Sequence, residues 1–203
     1  MPARDTILGR IRAATAAIRD KQPHPEFDEA LLHAAPRLAG TDIVEVFTRN
    51  FTAVNGRVVR SIDELVALLR QLPRRYGFCD RAVFEAVGRP LFDAGFGLDT
   101  VFDRAAIDSF AFGITPATAA IAESGTLVLD DHHTSDRLGA LAPWVHVSVV
   151  DPATIVRTIP EALARLGDSP TVVWVTGPSK TADVEGILIE GVHGPGEEVA
   201  LIL

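Results

Sequence analysis

The stretch VHVSVVDPATIVRTIPEALARLGDSPTVVWV, residues 145–175, decides the fold class because it predicts a strand, a helix and a second strand in succession. Both ends, residues 145–150 and 171–175, are rich in β-branched side chains, as buried strands are. A helix that joins two parallel strands of one sheet makes a right-handed crossover. We therefore predict such a crossover within a largely parallel sheet. The helix, Pro152 to Leu166, carries its apolar face on Ile155, Ile159, Leu163 and Leu166.

The first half of the chain predicts helices. Ser61 and Glu64 form a capping box, in which each side chain satisfies a backbone amide at the start of a helix. The other helices are predicted from apolar residues that recur at helical spacing. The predicted ranges are about 4–20, 41–54 and 62–72.

Short apolar runs separated by Gly, Pro and Asp predict further strands in the second half, at 109–112, 126–129 and 199–203. Helices followed by alternating strands and helices predict layers of helices packed on a sheet. We predict a single domain over residues 1–203. In it, residues 1–40 form a helical N-terminal extension, and residues 41–203 form a three-layer α/β/α Rossmann-like sandwich.

The composition narrows the class of partner. Of the 203 residues, 47% are hydrophobic and 23% are charged, and the net charge is −8. An acidic chain is a poor binder of nucleic acid or anionic membranes, which attract basic surfaces. No apolar run approaches the ~18 residues that a membrane span requires. We therefore expect a cytoplasmic protein that binds small molecules or other proteins.

Cys79 is the only cysteine. One thiol cannot form an intramolecular disulfide or hold an iron–sulfur cluster that needs four thiolates. A reducing cytosol fits this cysteine content, and we expect no cofactor held by this chain alone. Cys79 itself is predicted to be a small buried hydrophobe.

A polar loop, residues 176–185, follows the last strand of the opening stretch. In open α/β sheets, ligands bind beyond the carboxyl ends of the strands, where this loop is predicted to lie. Its hydroxyls, its one lysine and its glycine suit an anionic or phosphate-bearing ligand. The alternative is a plain turn with a capping hydroxyl and acids that favour a helix dipole. The candidate ligand-binding residues are Thr176, Gly177, Ser179, Lys180, Thr181, Asp183 and Glu185.

A second loop centres on Ser124-Gly125, a dipeptide that predicts a tight hairpin-like turn between two apolar runs. Glu123 precedes it and could act as a nucleophile or base. The alternative is a solvated carboxylate at a strand edge. We take Glu123 as the candidate catalytic residue, with Ser124, Gly125 and Thr126 as candidate ligand-binding residues.

The histidines are open to two interpretations. The cluster from Asp130 to Asp136 contains adjacent histidines, whose side chains point to opposite faces in a strand, so a solvated loop is favoured over a metal site. His146 lies in a β-branched run and is predicted to be a core histidine rather than a base. His193 lies between turn formers and could line the crevice near Lys180, or could simply occupy a turn.

Together, these loops resemble the LUD-domain family, in its lactate-utilisation protein C branch. The resemblance covers roughly residues 108–197 and implies that Thr115, Arg137 and His193 join the ligand-binding residues. It rests on Gly113-Ile114-Thr115, residues 121–127, Arg137 with Pro143 and His146, residues 176–185 and residues 191–195.

The resemblance implies a fold like that of ribose-phosphate isomerase and the CoA transferases. It also implies a role in oxidising L-lactate to pyruvate, beside partner proteins that hold the iron–sulfur clusters. Three functions stay open: an accessory or substrate-handling subunit with a small carboxylate or phosphate-bearing ligand, an independent enzyme of the cyclo-ligase or CoA-transferase type, and an assembly scaffold. The second would use Lys180 for phosphate and Glu123 as base or nucleophile.

Overall fold

A computed structural model describes residues 3–18, 26, 40–182 and 188–203. The chain divides into two compact units, Met1–His33 and Ala34–Leu203. In the first unit, helix α1 spans Ala3–Thr15, within the range predicted from apolar spacing. The predicted single domain with a boundary at residue 40 stays a prediction.

The second unit alternates short helices and strands. Its α-helices are α2 (Ile43–Ala53), α3 (Ile62–Leu69), α4 (Arg89–Asp93), α5 (Leu138–Leu141) and α6 (Ile159–Leu166). Among the described residues of this unit, three 3-10 helices span Arg81–Val83, Arg104–Ser109 and Pro152–Thr154, and a π-helical turn spans Phe84–Gly88. The strands are β1 (Arg57–Val59), β2 (Tyr76–Cys79), β3 (Gly97–Asp99), β4 (Phe112–Pro116), β5 (Ala119–Ile121), β6 (Thr126–Asp130), β7 (Val145–Val150), β8 (Ile155–Val156), β9 (Val172–Val175), β10 (Lys180–Thr181), β11 (Ile189–Glu190) and β12 (Glu197–Ile202).

The central sheet confirms the prediction of a largely parallel sheet. It has six strands in the order β1-β12-β7-β4-β2-β3, and every neighbouring pair is parallel. The most apolar strand of the opening stretch, β7, lies inside this sheet between β12 and β4. Strands buried on both faces are expected to be continuously apolar, as β7 largely is.

The predicted crossover between residues 145–150 and 171–175 is wrong. These residues do form strands, β7 and β9, but β9 lies in a second sheet of order β8-β5-β6-β9. There it pairs antiparallel with β6, with Leu127 opposite Val175. No local sequence pattern predicted this second sheet, so the predicted architecture around a single sheet is incomplete.

The predicted helix over 152–166 is also shorter than expected. The segment forms a 3-10 turn, then strand β8, and only then helix α6. Ile155 is therefore a buried strand residue that pairs with Ala120, whereas Ile159 and Leu163 of α6 are exposed. Ala162 and Leu166 are the residues that α6 buries.

An apolar core fills the space between one face of the central sheet, the second sheet and helix α2. Alternate residues of β7 and β12 point to the two faces of the central sheet, as strand geometry requires. The core on this face includes Phe47 and Phe51 of α2, Leu127 of β6, Val150 of β7 and Ala200 of β12. The second sheet and α2 therefore cover the central sheet together, and their adjoining ends form the candidate site.

Helix α3 starts close to where the capping box predicts. Ser61 Oγ accepts the Glu64 N–H at 3.2 Å, and Glu64 Oε2 accepts the Arg60 N–H at 2.8 Å. The carboxylate thus satisfies the amide one residue before the one that a standard capping box predicts. The helix ends at Leu69, short of the predicted residue 72.

Removing the cap should destabilise the protein measurably. We expect Ser61→Ala to lower the free energy of unfolding by about 1 kcal/mol, because the Glu64 amide loses its partner. Urea unfolding would measure this change. Ser61→Asp serves as the control, since its carboxylate can still cap the helix, and an equal loss in both variants would contradict the capping role.

Candidate functional site

A chain of hydroxyl groups joins the two polar loops that the sequence singled out. Ser124 Oγ and Thr126 Oγ1 share a hydrogen bond of 2.7 Å, and Thr126 Oγ1 shares another of 2.7 Å with Thr176 Oγ1. The reason is the pairing of β6 with β9, which places the start of one strand beside the end of the other. The predicted loops therefore meet at one place, through partly buried hydroxyls.

Helix α2 holds the first of these loops in position. Asn50 Nδ2 donates to the carbonyl oxygens of Ala122 at 2.7 Å and Glu123 at 3.2 Å. Gly125 has a φ of +63°, and a Cβ there would stand 2.3 Å from the backbone nitrogen of Phe51. Only glycine permits so close an approach, so the predicted turn is confirmed and is packed against the helix.

The second loop is anchored to residues 191–195, the segment between β11 and β12. The Ser179 N–H donates to the Pro195 carbonyl, and the Gly191 N–H donates to the Ser179 carbonyl, both at 2.9 Å. These backbone bonds bring residues 176–180 beside residues 191–195. They explain why His193 lies close to Ser179, although the two are far apart in sequence.

A groove of about 200 Å³ opens between these segments. Its lining includes four residues that the sequence predicted, Thr176, Gly177, Ser179 and His193, and a carboxyl residue that it did not, Glu198. Leu141, the strand residues Val173–Val175, Gly194 and Pro195 complete its lining. We take this groove as the candidate site, and call it the hydroxyl groove.

Behind the groove, a buried hydrogen-bonded chain runs across three neighbouring strands. Glu198 Oε2 lies 2.7 Å from His146 Nδ1, and His146 Nε2 lies 2.9 Å from Thr115 Oγ1. All three side chains are buried. The register explains the contact, because Glu198 of β12 lies directly opposite His146 of β7. His146 is therefore the core histidine that the sequence favoured, with both ring nitrogens paired.

Burial raises the pKa of Glu198, although the neighbouring His146 opposes this effect. A carboxyl group in so dry a position favours its neutral form, because a buried charge loses its hydration. A neutral carboxylic acid can donate a hydrogen bond, whereas a carboxylate can only accept one. Glu198, which lines the groove, can therefore hold or release a proton.

Glu123 and Lys180 make structural contacts outside the lining of the groove. Glu123 Oε1 accepts the Ile159 N–H at 2.8 Å, at the start of α6. Lys180 Nζ donates to the Val54 carbonyl at 3.4 Å, at the end of α2, and lies 3.6 Å from Glu190 Oε1. Their predicted catalytic and ligand-binding roles stay predictions.

The remaining predicted residues are dispersed. Thr181 pairs with Ile189 in the short antiparallel hairpin of β10 and β11. Arg137 lies in a different place, where its Nε is 3.0 Å from Asp131 Oδ1. Asp183 and Glu185 lie outside the described residues.

The hydroxyl groove does not lie where the sequence placed it. Residues 176–185 were predicted to follow a strand of the parallel sheet and to lie beyond its carboxyl end. The described part of this loop, residues 176–182, follows β9, which belongs to the second sheet, and its Ser179 contacts Pro195, just before β12 begins. The groove therefore adjoins the amino end of a central strand.

Both histidines of the cluster from Asp130 to Asp136 lie beside a carboxylate. His133 Nδ1 lies 2.7 Å from Asp130 Oδ1, and His132 Nε2 lies 3.4 Å from Asp168 Oδ1. Burial alone would raise the pKa of Asp130, but hydrogen bonds from the His133 backbone and ring to its Oδ1 outweigh burial and lower the pKa. Within the described ranges, no group of three or more His, Cys, Asp and Glu side chains is placed to hold a metal ion.

Cys79 is fully buried in the core of the central sheet, as predicted. Burial and the neighbouring Asp80 raise the pKa of its thiol to about 12. A thiol with so high a pKa forms little thiolate, so it is a poor nucleophile.

The fold and the groove define a mixed α/β protein with a mostly parallel central sheet and a polar site at its edge. A crystal structure of a DUF162 family protein from Deinococcus radiodurans has the same fold, with a TM-score of 0.60 and 20% sequence identity. The similarity covers 79% of this chain and 96% of that one. Over the described residues, no helix is both long and apolar enough to cross a membrane.

Residues 91–203, more than half of the chain, match the LUD domain. The chain belongs to the LUD-domain family, as the sequence resemblance indicated. It is similar to lactate utilization protein C of Macrococcus caseolyticus, with 30% identity over 76% of this chain and 68% of that one, and of Bacillus pumilus, with 27% identity over 82% and 80%. The match to the Deinococcus radiodurans protein of that name is 34% identical but spans only 49% of this chain and 51% of its relative.

Proposed function

We propose that this protein is a subunit of a cytoplasmic system that oxidises L-lactate to pyruvate, and that it handles a small carboxylate ligand in the hydroxyl groove. The similarity to proteins named lactate utilization protein C supports the pathway. The family resemblance implies that iron–sulfur proteins act beside it, and this is consistent with its single cysteine, which cannot itself hold a four-thiolate cluster. We also infer that its fold is related to that of ribose-phosphate isomerase and the CoA transferases.

The observation that carries the ligand assignment is the hydroxyl chain from Ser124 through Thr126 to Thr176. It joins the two loops that the family resemblance marks and ends in the lining of the groove. Hydroxyl groups both donate and accept hydrogen bonds, so they can bind a ligand that carries a carboxylate and a hydroxyl, as lactate does.

The groups around the groove suit a small ligand rather than a nucleotide. Its volume of about 200 Å³ lies below the range typical of sites for drug-sized molecules. Ser179 and Thr176 can donate hydrogen bonds to a carboxylate, and a neutral Glu198 can donate another. His193 adds a ring that can act as donor or acceptor.

Reconstitution with iron–sulfur partner proteins tests the pathway. Purified protein, partners, L-lactate and a dye that accepts electrons should give dye reduction that depends on both lactate and this chain. If no combination of the proteins transfers electrons from lactate, the pathway assignment fails. Pyruvate measured at the end confirms that lactate is the electron source.

The groove itself is tested by Ser179→Ala. We expect the affinity for L-lactate to fall about tenfold, because a hydrogen bond to a charged group contributes about 1.5 kcal/mol. Calorimetry on the assembled system measures the affinity. Thr15→Ala, which removes a hydroxyl from α1, is the matched control and should bind as the wild type does. Unchanged affinity in Ser179→Ala would place the ligand elsewhere.

A further inference from the structure

Three arginines line two adjoining cavities at the carboxyl ends of the central strands β2 and β3. The first cavity, about 240 Å³, is lined by Arg104 and Arg137, and the second, about 270 Å³, is lined by Arg81. The two cavities share Ser135 and Asp136. We refer to the pair as the arginine cavities.

Their position follows from the strands beneath them. Asp80 comes directly after β2 and is buried, and its Oδ2 accepts both the N–H and the hydroxyl of Ser135 at 2.7 Å. Arg81 follows Asp80, and Thr100, which lines the second cavity, follows β3. The arginine cavities therefore lie at the carboxyl ends of two parallel strands, where α/β proteins usually bind ligands.

Two of the arginines have N–H donors that are available to a ligand. Arg104 is exposed and makes no hydrogen bond or ion pair with any other described residue. Arg137 pairs with Asp131 through Nε at 3.0 Å, which uses one of its five N–H donors. Guanidinium groups match the geometry of carboxylates and phosphates, because they can donate two parallel hydrogen bonds.

A buried hydroxyl in the first cavity points independently to a ligand. Thr134 is only 4% exposed, and its Oγ1 has no hydrogen-bond partner among the described residues. It lines the cavity beside Arg104 and Arg137. A buried hydroxyl without a partner destabilises a protein, so a ligand that accepts or donates a hydrogen bond there would complete the site.

The acidic residues of the cavities restrict the class of ligand. Asp131 and Asp136 line them as well, so three positive groups face two negative ones. Asp136 Oδ1 accepts the Leu138 N–H, which leaves its other oxygen as an acceptor. A bare anion would use only the arginines, whereas a ligand with hydroxyl groups would also satisfy the carboxylates.

We propose that the arginine cavities bind a small oxyanion that also carries hydroxyl groups, such as a hydroxylated carboxylate or a polyol phosphate. The oxyanion lies between Arg104 and Arg137, and its hydroxyl groups reach Thr134 and Asp136. This is a second site, separate from the hydroxyl groove, and it does not depend on the lactate assignment.

Calorimetric titration of the full chain tests this site with three probes: inorganic phosphate, glycerol 3-phosphate and D-glycerate. We expect saturable binding in which glycerol 3-phosphate binds more tightly than phosphate, because only the ester carries hydroxyl groups. The affinities for D-glycerate and glycerol 3-phosphate distinguish a carboxylate from a phosphate ligand. Arg104→Gln should weaken the tighter of these two at least tenfold, and the exposed control Arg70→Gln should leave it unchanged.

Thr134→Val distinguishes a role of Thr134 in ligand binding from a purely structural role. Valine keeps the shape of threonine but removes the hydroxyl that lacks a partner, so the free protein should unfold at the same or a higher urea concentration. The affinity for the tighter probe should nevertheless fall severalfold. A variant that loses stability and keeps its affinity would overturn the role of Thr134.

Three results would overturn the site as a whole. The first is no binding of any probe at millimolar concentration, and the second is equal weakening by Arg104→Gln and Arg70→Gln. The third is binding that survives Arg104→Gln but is lost in Ser179→Ala, which would move the anion to the hydroxyl groove. Because the lactate assay uses different variants, the two proposals can fail separately.

Discussion

Gly177→Ala is expected to lower the free energy of unfolding by about 3 kcal/mol, within the range of strained and overpacked substitutions. Gly177 has a φ of +77°, and a Cβ there would lie 2.1 Å from the carbonyl oxygen of Val54. Alanine must therefore adopt an unfavourable backbone conformation and also push the loop away from the end of α2. Because Thr176 and Ser179 flank this contact, lactate binding in the groove should be lost as well.

Gly95→Ala separates the two effects of that substitution. Gly95 has a φ of +91°, but a Cβ there would meet no atom within 4 Å. It should lower the free energy of unfolding by only about 1 kcal/mol, the backbone effect alone. Urea unfolding of both variants measures the difference. If Gly177→Ala is no more destabilising than Gly95→Ala, the close contact between the loop and Val54 is not rigid.

The features that sequence predicted well have local causes. The capping box at Ser61 involves neighbouring residues, and the β-branched run from Val145 to Val150 forms a strand with those bounds. The turn at Ser124-Gly125 likewise depends on its own backbone, with a positive φ at the glycine. Each of these signals lies within a few residues of the structure that it predicts.

No local sequence signal indicated which of the two sheets each strand joins. Residues 145–175 contain a strand, a helix and a strand, which is the pattern of a parallel crossover. The second strand, β9, instead pairs with β6, about 45 residues earlier in the chain, through contacts such as that of Trp174 with Val128. An apolar run fits either arrangement, so periodicity cannot distinguish them. In the observed arrangement β9 is only partly buried, with Trp174 exposed.

In the candidate site too, local sequence predicted some features, whereas long-range pairing determines the others. Hydroxyl residues in the two loops were predicted from their chemistry, and the pairing of β6 with β9 brings them together. Glu198 was missed because two consecutive glutamates at the start of a strand are typical of a solvated end. Its burial depends on the register that places it opposite His146, and no local pattern contains that register.

Removing the Glu198 side chain should be strongly destabilising. Glu198→Ala leaves His146 Nδ1 buried without its partner at 2.7 Å and opens space behind the groove. Breaking a buried charged or hydrogen-bonded pair from one side lowers the free energy of unfolding by about 3 kcal/mol. Glu197→Ala is the matched control, because the side chain of Glu197 points to the opposite face of the sheet from that of Glu198. Comparable losses in the two variants would contradict the importance of the buried pair.

The raised pKa of Glu198 also gives a pH dependence whose sign can be worked out. In the unfolded chain the carboxyl loses its proton near its ordinary pKa of 4.5, whereas burial keeps it protonated to higher pH in the folded state. Between the two pKa values the folded state binds more protons, so stability falls as pH rises, by at most about 1.4 kcal/mol per pH unit. Glu198→Gln removes this titration and keeps an acceptor for His146. Urea unfolding at pH 5 to 8 should show the wild type losing stability relative to Glu198→Gln as pH rises, and a flat or rising difference would mean that Glu198 is already charged in the folded protein.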